Sequence, residues 1–182
     1  GHISAINYIG TVAPGIYNFF MTNRIASGLV KKTIGFAAKR SLPKLYKITL
    51  KKWIRKNLHK INPHYPKSSV CLFVDEFTNY NDTETGIAVI RLLTALEYKV
   101  VIADHNVSGR TYISKGLLRR ARKVIRQNIR ILSKLINSDL PLIGIEPSAI
   151  LGFRDEYPEL AGNDLRKTAE EIAGNSFMVD EF

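Results

Sequence analysis

The spacing of apolar residues divides the chain into two parts near residue 66. Residues 1–40 place apolar and small residues in short groups among basic ones, without the alternation of a strand, and this pattern predicts short helices. A basic helix is predicted to begin at Ser41 and to end near Leu58, with an apolar stripe of Leu45, Ile48, Trp53 and Ile54. A linker with two prolines follows over residues 62–66, so we predict an N-terminal helical segment over residues 1–66.

Strand and helix patterns alternate from Ser68 onward. Short apolar runs predict strands over residues 70–74, 99–103 and 140–145. Apolar residues at helical spacing predict helices between them, over residues 85–97 and 114–137. Strands separated by helices are typical of parallel strands joined by right-handed crossovers. We therefore predict an α/β fold with a doubly wound, Rossmann-like parallel sheet over residues 67–182.

Positive charge is concentrated on the two basic helices. The 182 residues carry a formal net charge of +11, with Lys and Arg clustered over residues 44–60 and 119–130. Such clusters attract polyanions, so a module that binds nucleic acid or an anionic membrane is one alternative function. On the long helix, however, the arginines lie mostly opposite an apolar stripe, which is typical of a solvated helix face. Because no helix-turn-helix, zinc finger or RNA-binding motif accompanies the charge, we expect no nucleic-acid partner.

The cysteine content limits the chemistry that this chain performs on its own. One thiol cannot form an intramolecular disulfide or supply the four thiolates that usually hold an iron–sulfur cluster. Cys71 lies in an apolar run, where we expect it to be a buried core residue. The four histidines lack metal-ligand spacing, and neither a Gly-rich phosphate loop nor a hydrolase nucleophile motif is present. The sequence has no membrane-length apolar stretch and no signal-peptide pattern, so we predict a cytoplasmic location.

Polar residues follow each predicted strand, where the crevice of an open parallel sheet lies. We expect ten residues of these loops to line one polar crevice: Asp75, Glu76, Asn79, His105, Ser108, Gly109, Arg110, Lys115, Glu146 and Ser148. No pair among them forms a recognisable nucleophile and base, so we assign no catalytic residue. A second alternative function is a small enzyme domain that binds an anionic substrate at Ser108, Gly109 and Arg110, near a helix N-terminus.

The same loops carry a family likeness, in residues 71–80, 108–118, 144–148 and 154–158. The Ser-Lys-Gly-Leu-Leu and Glu-Pro-Ser sequences within them are the most specific parts. In these segments the chain resembles the cysteine-rich domain at the C-terminal end of FAD-linked oxidases, a group that includes D-lactate dehydrogenase-like and glycolate oxidase-like iron–sulfur proteins. The surroundings of Leu42 and Pro43 and the closing residues 177–182 extend the resemblance over nearly the whole chain.

The resemblance implies that the chain is a piece of a longer FAD-linked, iron–sulfur oxidoreductase that oxidises a 2-hydroxy acid. FAD and iron–sulfur clusters are then expected in the parent protein, and the parent's flavin and ferredoxin-like domains are the expected partners of this one. Peripheral association of the parent with a membrane is compatible with this interpretation. The family's domain is usually duplicated, and this chain corresponds to its first half.

The metal-binding cysteines of the family are missing from this chain. The positions that correspond to them are Glu76, Val107, Ser108 and Ala149. Valine and alanine side chains have no donor atom, and carboxylate or hydroxyl oxygen is a poor substitute for thiolate in iron–sulfur chemistry, so we expect no metal or cofactor in this piece. We therefore predict a degenerate cysteine-rich domain with a structural, docking or electron-relay role and no catalytic activity of its own.

Overall fold

A computed structural model describes residues 10–34, 37 and 44–182 of the chain. Within these residues, three helices with complete bounds precede the sheet: α1 (Pro14–Thr22), α2 (Arg24–Ile34) and α3 (Leu50–Ile61). The predicted beginning of the basic helix at Ser41 and the resemblance around Leu42 and Pro43 lie outside the described residues. Helix α3 begins at Leu50 because Thr49 caps it, its Oγ1 accepting a hydrogen bond from the Lys52 amide at 3.3 Å.

The sheet consists of parallel strands in the order β2-β1-β3-β4. Four strands are found in the described part of the chain: β1 (Ser68–Phe73), β2 (Tyr98–Val101), β3 (Leu142–Gly144) and β4 (Ser176–Met178). In the central strand β1, Cys71 lies opposite Val101 on one side and Leu142 on the other. The chain thus leaves β1 in one direction to form β2 and returns on the other side to form β3. This arrangement confirms the predicted doubly wound α/β fold.

Helices connect the strands and cover both faces of the sheet. They are α4 (Glu76–Tyr80), α5 (Thr83–Ala95), α6 (Arg110–Ile113), α7 (Leu118–Leu132), α8 (Pro147–Ile150), α9 (Glu156–Ala161) and α10 (Arg166–Gly174), with a 3-10 turn at Leu151–Phe153. The long helix predicted over residues 114–137 is shorter, because Gly116 adopts a left-handed φ of 68° that ends the turn after α6. None of the helices in the described ranges is long and apolar enough to cross a membrane.

One face of the sheet packs against α7, α9 and α10. Cys71 and Phe73 of β1 and Leu142 of β3 are buried on this face, in one apolar cluster with residues of the three helices. Helix α7 contributes its apolar stripe to the cluster: Ala121, Ile125, Ile129 and Leu132. Most of the basic side chains of α7 are exposed, as the sequence predicts. The burial of Cys71 is likewise as predicted.

The opposite face packs against α3 and α5. The alternate residues Val70, Leu72 and Val74 are buried on this face, in a second apolar cluster that includes Leu50 and Ile54 of α3. The basic N-terminal helix therefore packs Leu50, Trp53 and Ile54 on the α/β core, whereas Leu45 and Ile48 of the predicted stripe precede the helix, which begins only at Leu50. The division of the chain into residues 1–66 and 67–182 stays a prediction.

Shortening Ile54 to valine is expected to lower the free energy of unfolding by about 1 kcal/mol, because this cluster loses a buried carbon atom. Urea unfolding followed by circular dichroism measures the change. Lys56→Ala, at an exposed position of the same helix, is the control and is expected to leave stability nearly unchanged. Equal stability of the wild type and Ile54→Val would contradict the contribution of α3 to this core.

Candidate functional site

The loops that follow β1, β2 and β3 lie at one edge of the sheet, because the three strands are parallel. Strand β1 has β2 on one side and β3 on the other, so the strand order reverses at β1. Ligands of open α/β sheets bind at such a reversal, beyond the carboxyl ends of the strands. A functional site is therefore expected among these three loops.

Glu76 and Ser108 join the loop after β1 to the loop after β2. Glu76 Oε2 accepts a hydrogen bond from the Ser108 amide at 2.9 Å, and Glu76 Oε1 accepts one from the Ser108 hydroxyl at 3.0 Å. Both residues are buried, with 4% and 2% of their surfaces exposed. Two of the four positions at which the resemblance places cysteines therefore contact each other directly, through oxygen and nitrogen atoms.

Asp75 serves as the cap of helix α4. Its Oδ1 accepts hydrogen bonds from the amides of Phe77 at 2.8 Å and Thr78 at 2.9 Å, and its Oδ2 accepts one from the Thr78 hydroxyl at 2.5 Å. Burial raises the pKa of the Asp75 carboxyl, although the hydrogen bonds from Thr78 and Phe77 act in the opposite direction. All of these interactions are local, so Asp75 holds the beginning of a helix instead of facing a ligand.

His105 is a buried, neutral ring that links the end of β1 to the loop after β2. Its Nε2 accepts a hydrogen bond from the Val74 amide at 3.0 Å, and its Nδ1 donates one to the Asn106 carbonyl at 2.6 Å. The ring also stacks on Phe73, with 4.0 Å between the ring centroids. Burial lowers the pKa of His105 to about 4, the bond to the Asn106 carbonyl opposes this shift, and the nearby Lys51 cation adds to it. Both ring nitrogens have protein partners, so His105 has a structural role here.

Gly109 and Arg110 lead from Ser108 into α6. Gly109 has a left-handed φ of 86°, which a residue with a side chain adopts only with strain, and the Ser108 hydroxyl accepts a hydrogen bond from the Arg110 amide at 3.1 Å. The Arg110 guanidinium forms a salt bridge with Glu156 of α9 at 2.7 Å. Lys115 is exposed beyond this turn. The sequence suggested that Ser108, Gly109 and Arg110 could bind an anionic substrate, but the charge of Arg110 is already paired with Glu156.

The remaining predicted residues belong to other local networks. Glu146 caps α8, and its Oε1 accepts a hydrogen bond from the exposed Ser148 hydroxyl at 2.7 Å. Asn79 Oδ1 accepts a hydrogen bond from the Lys51 amide at 3.0 Å, which ties α4 to α3. Ala149 is buried and has no donor atom in its side chain. The predicted set is therefore divided among several networks, and the Glu76–Ser108 pair joins two of the three loops.

Two buried polar residues outside the predicted set hold the loop after β2. Asn128 of α7 accepts a hydrogen bond from the Asn106 amide at 2.8 Å, and its Nδ2 donates to the Val107 carbonyl at 3.0 Å and to the Tyr157 hydroxyl at 2.9 Å. The Tyr157 hydroxyl in turn donates to the Ser108 carbonyl at 2.9 Å. Asn128 is completely buried and Tyr157 is 2% exposed. This network fixes the backbone that presents Ser108 to Glu76.

The sequence patterns did not single out Asn128 or Tyr157. A signal for Asn128 was present, because it lies at helical spacing from Ile125 and Leu132 on the apolar stripe of α7. A polar residue at such a position needs hydrogen-bond partners once it is buried. Tyr157 lies in one of the segments that carry the family resemblance, but no pattern indicated its partner.

The side chains at this edge of the sheet do not fit an iron–sulfur cluster. Among the described residues, no group of three or more His, Cys, Asp or Glu side chains is placed to hold a metal ion. Cys71 is fully buried, and burial raises the pKa of its thiol to about 11, which keeps it protonated and unreactive. Glu76 and Ser108 offer oxygen atoms that are already hydrogen-bonded, whereas a cluster requires free thiolates.

Several known proteins with similar sequences are dehydrogenases or parts of one. The chain is 27% identical over 159 residues to D-2-hydroxyglutarate dehydrogenase of Pantoea ananatis, an alignment that covers 82% of this chain and 15% of that protein. It is 26% identical over 176 residues to D-2-hydroxyglutarate dehydrogenase of Escherichia coli, covering 92% of this chain and 17% of that protein. Over 173 residues it is 24% identical to one subunit of the anaerobic glycerol-3-phosphate dehydrogenase of E. coli, covering 94% of this chain and 43% of that protein. These relatives are dehydrogenases or, in the last case, part of one.

The similarities support part of the interpretation drawn from the sequence. They extend over most of this chain, so its kinship with oxidoreductases is confirmed. The chain spans less than one fifth of the length of the D-2-hydroxyglutarate dehydrogenases that it matches. No protein-family model matches the chain, and no solved structure matches it significantly. The assignment to the cysteine-rich domain itself stays a prediction.

Proposed function

We propose that this chain is one part of a FAD-linked, iron–sulfur oxidoreductase of the 2-hydroxy acid dehydrogenase type, in which it is a structural and docking part without a cluster of its own. The observation that carries the proposal is the Glu76–Ser108 pair. These side chains occupy positions at which the resembled family has cluster-binding cysteines, and they bind each other instead. The similarity to D-2-hydroxyglutarate dehydrogenases supports the substrate class of the parent protein.

The chemistry of the Glu76 carboxylate favours a structural role over electron relay. A buried carboxylate is unfavourable unless hydrogen-bond donors replace its hydration, and here the Ser108 amide and hydroxyl are those donors. Binding a cluster at these loops would break both bonds and leave the carboxylate unsatisfied. Electron relay through this chain would therefore need a cluster whose ligands come from the second half of the duplicated domain. We assign the flavin and the clusters to other parts of the parent protein.

Helices α1 and α2 provide a surface for docking. Helix α1 has no buried residue. The two helices and the short segment before α1 expose large apolar side chains: Val12, Ile16, Phe19, Phe20, Ile25 and Leu29. The exposed fractions of Ile16 and Ile25 are 64% and 79%. A concentration of exposed apolar residues is typical of an interaction surface. We assign this surface to contact with the flavin or ferredoxin-like domain of the parent.

A comparison of two preparations tests this function. The first is the protein purified anaerobically from its own host through a tag on this chain, and the second is the isolated chain reconstituted with ferrous iron and sulfide beside a ferredoxin control. We expect FAD and iron in the first and no bound iron in the second. Amide hydrogen exchange in α1 and α2 is expected to be slower in the first preparation, because docking covers these helices.

Two results would contradict the assignment as a cluster-free part of a FAD-linked protein, and a third would contradict the docking surface. Stoichiometric iron in the reconstituted isolated chain would mean that this chain is itself a cluster domain. Absence of flavin from the protein purified from its own host would remove the FAD-linked assignment. Equal hydrogen exchange of α1 and α2 in both preparations would locate docking on another surface.

A further inference from the structure

A basic pocket lies beside the first turns of α3 and encloses about 280 Å³. Among the described residues, four basic side chains line it: Lys47, Lys51, Lys52 and Arg55. None of the described residues that line it is acidic, and neither Glu76 nor Ser108 belongs to it. Its volume is at the small end of the range for small-molecule sites, which suits a compact ligand.

Lys51 differs from the other three cations around this pocket, because its Nζ donates a hydrogen bond to the His105 carbonyl at 3.4 Å and interacts electrostatically with Asp104. Lys47, Lys52 and Arg55 form no ion pair with a carboxylate in the part of the chain that the structure describes. Like charges on one concave surface repel each other and create a positive potential inside it. A bound anion would offset this repulsion.

Two carboxylates lie near the basic pocket without forming part of its lining. Asp104 lines an adjacent pocket together with Lys51 and Arg55. Glu84 accepts a hydrogen bond at 2.8 Å from the hydroxyl of Tyr46, one of the residues that line the basic pocket. With four cations around the pocket and two carboxylates nearby, its surroundings keep a net positive charge.

Backbone amides at the beginning of α3 are already occupied. The Lys51 amide donates to Asn79 Oδ1 at 3.0 Å, and the Lys52 amide donates to Thr49 Oγ1 at 3.3 Å. The Trp53 amide donates to the Thr49 carbonyl at 3.0 Å. An anion in the pocket would therefore be held by side chains and not by these amides.

Asn79 adds a buried side-chain donor for which the described part of the chain supplies no acceptor. It is 6% exposed and lines the basic pocket. Its Oδ1 binds the Lys51 amide, whereas its Nδ2 has no hydrogen-bond acceptor among the described residues. Buried polar groups of this kind are almost always satisfied. An oxygen atom of a bound anion would complete the hydrogen bonding of the amide.

We propose that the basic pocket binds a small polyanion that carries a phosphate group, held by the cationic side chains and by the Asn79 amide. A phosphate group carries up to two negative charges and several strong acceptor oxygens, so it satisfies more separate donors than a carboxylate does. The compact, concave shape of the pocket suits such a group better than duplex nucleic acid, which requires an extended positive surface. This inference is independent of the proposed docking function.

Calorimetric titration of the chain with pyrophosphate tests the inference. We expect saturable binding at one site per chain, with weaker binding of inorganic phosphate and the weakest binding of sulfate at matched ionic strength. Sedimentation with phosphatidylcholine vesicles that contain phosphatidic acid distinguishes the source of the phosphate. Vesicle binding that pyrophosphate reverses identifies a lipid headgroup, and pyrophosphate binding without vesicle binding identifies a soluble ligand.

A charge-matched pair of variants locates the site. Lys52→Gln combined with Arg55→Gln is expected to weaken pyrophosphate binding about tenfold or more, because two of the four cations are lost. Both residues are exposed, so the fold is expected to persist. Lys123→Gln combined with Lys134→Gln removes the same charge from exposed positions on and after α7, and is expected to change affinity less than about twofold.

Asn79→Asp tests the buried donor directly. Aspartate retains an oxygen acceptor for the Lys51 amide, but it removes the Nδ2 donor and places a negative charge in the pocket. We expect loss of measurable pyrophosphate binding in a chain that still unfolds cooperatively.

Three outcomes would overturn the inference: no saturable binding of pyrophosphate or vesicles by the wild type, equal weakening by both double variants, or unchanged binding by Asn79→Asp. The measurements use no flavin or iron, so they fail or succeed separately from the test of the docking function.

Discussion

Replacing Asn128 with alanine is expected to lower the free energy of unfolding by about 4 kcal/mol, which is a large share of the stability of a typical domain. The change removes the acceptor for the Asn106 amide and the donor to the Val107 carbonyl and the Tyr157 hydroxyl. Asn128 has no exposed surface, so water does not replace the lost bonds and a small cavity remains. Urea unfolding followed by circular dichroism and by fluorescence measures the loss.

Two further variants distinguish the effect of losing the Asn128 hydrogen bonds from a general effect on helix α7. Gln127→Ala, at the exposed neighbouring position of α7, is expected to change stability by less than about 0.5 kcal/mol. Asn128→Asp keeps the acceptor for the Asn106 amide but cannot donate to the Val107 carbonyl, and it buries a charge, so we expect it to be at least as unstable as the alanine variant. If Asn128→Ala unfolded at the urea concentration of the wild type, the loop after β2 would not depend on this amide.

The fold class was predictable because the central strand has a strong and simple pattern. Residues 70–74 form an uninterrupted apolar run, which is typical of a parallel strand covered on both faces, and an amphipathic helix follows before the next apolar run. Strand β4 was not predicted, since Ser176–Met178 is short, begins with a polar residue and is half-buried in part. These residues form a strand because α10 returns the chain to the edge of β3, which is a tertiary effect.

Helix α4 begins at a local sequence signal that the sequence analysis did not use. Asp75 followed by Glu76 is a typical beginning of a helix, a cap and then an acidic residue in the first turn. The sequence prediction assigned both carboxylates to a polar crevice, because they follow a strand. In the structure Asp75 is the cap, and Glu76 turns toward Ser108 of the next loop.

The position of the candidate site was predictable, but its contacts were not. Parallel strands place the loops after β1 and β2 at one edge, and this follows from the alternation of strands and helices. Which side chains meet there depends on how His105 and Asn128 hold the loop after β2. The hydrogen bond from the Val74 amide to His105 and the one from the Asn106 amide to Asn128 are not indicated by any sequence pattern. The basic pocket was likewise predictable only in part. The basic residues of α3 are evident in the sequence, but their position beside Asn79 depends on the packing of α3 against α4.

The stability of the chain is expected to fall by about 3 kcal/mol as the pH is lowered from 6.5 to about 4, because of His105. Burial holds the pKa of the folded His105 at about 4, below its usual 6.5. The unfolded chain therefore takes up a proton first, and the folded state loses stability as the pH falls through this window. The geometry gives the same sign, since a proton on Nε2 would face the Val74 amide, which already donates to that atom.

His105→Gln isolates this contribution, because glutamine offers an acceptor to the Val74 amide but does not titrate. At pH 7 we expect the variant to have a lower free energy of unfolding than the wild type, because it lacks the ring that stacks on Phe73. Between pH 6.5 and about 4.5 we expect its free energy of unfolding to stay nearly constant.

Other titrating groups also change the stability near the lower end of this pH range. The raised pKa of Asp75 works in the opposite direction. The carboxyls of Asp164 and Glu181, whose pKa values are lowered by Arg126 and Arg154, begin to lose their contribution near the bottom of the window, where the unfolded chain becomes protonated, and lose the rest at still lower pH. Urea unfolding of both proteins at several pH values measures the difference, and parallel curves for wild type and His105→Gln would mean that the folded imidazole is free to take up a proton.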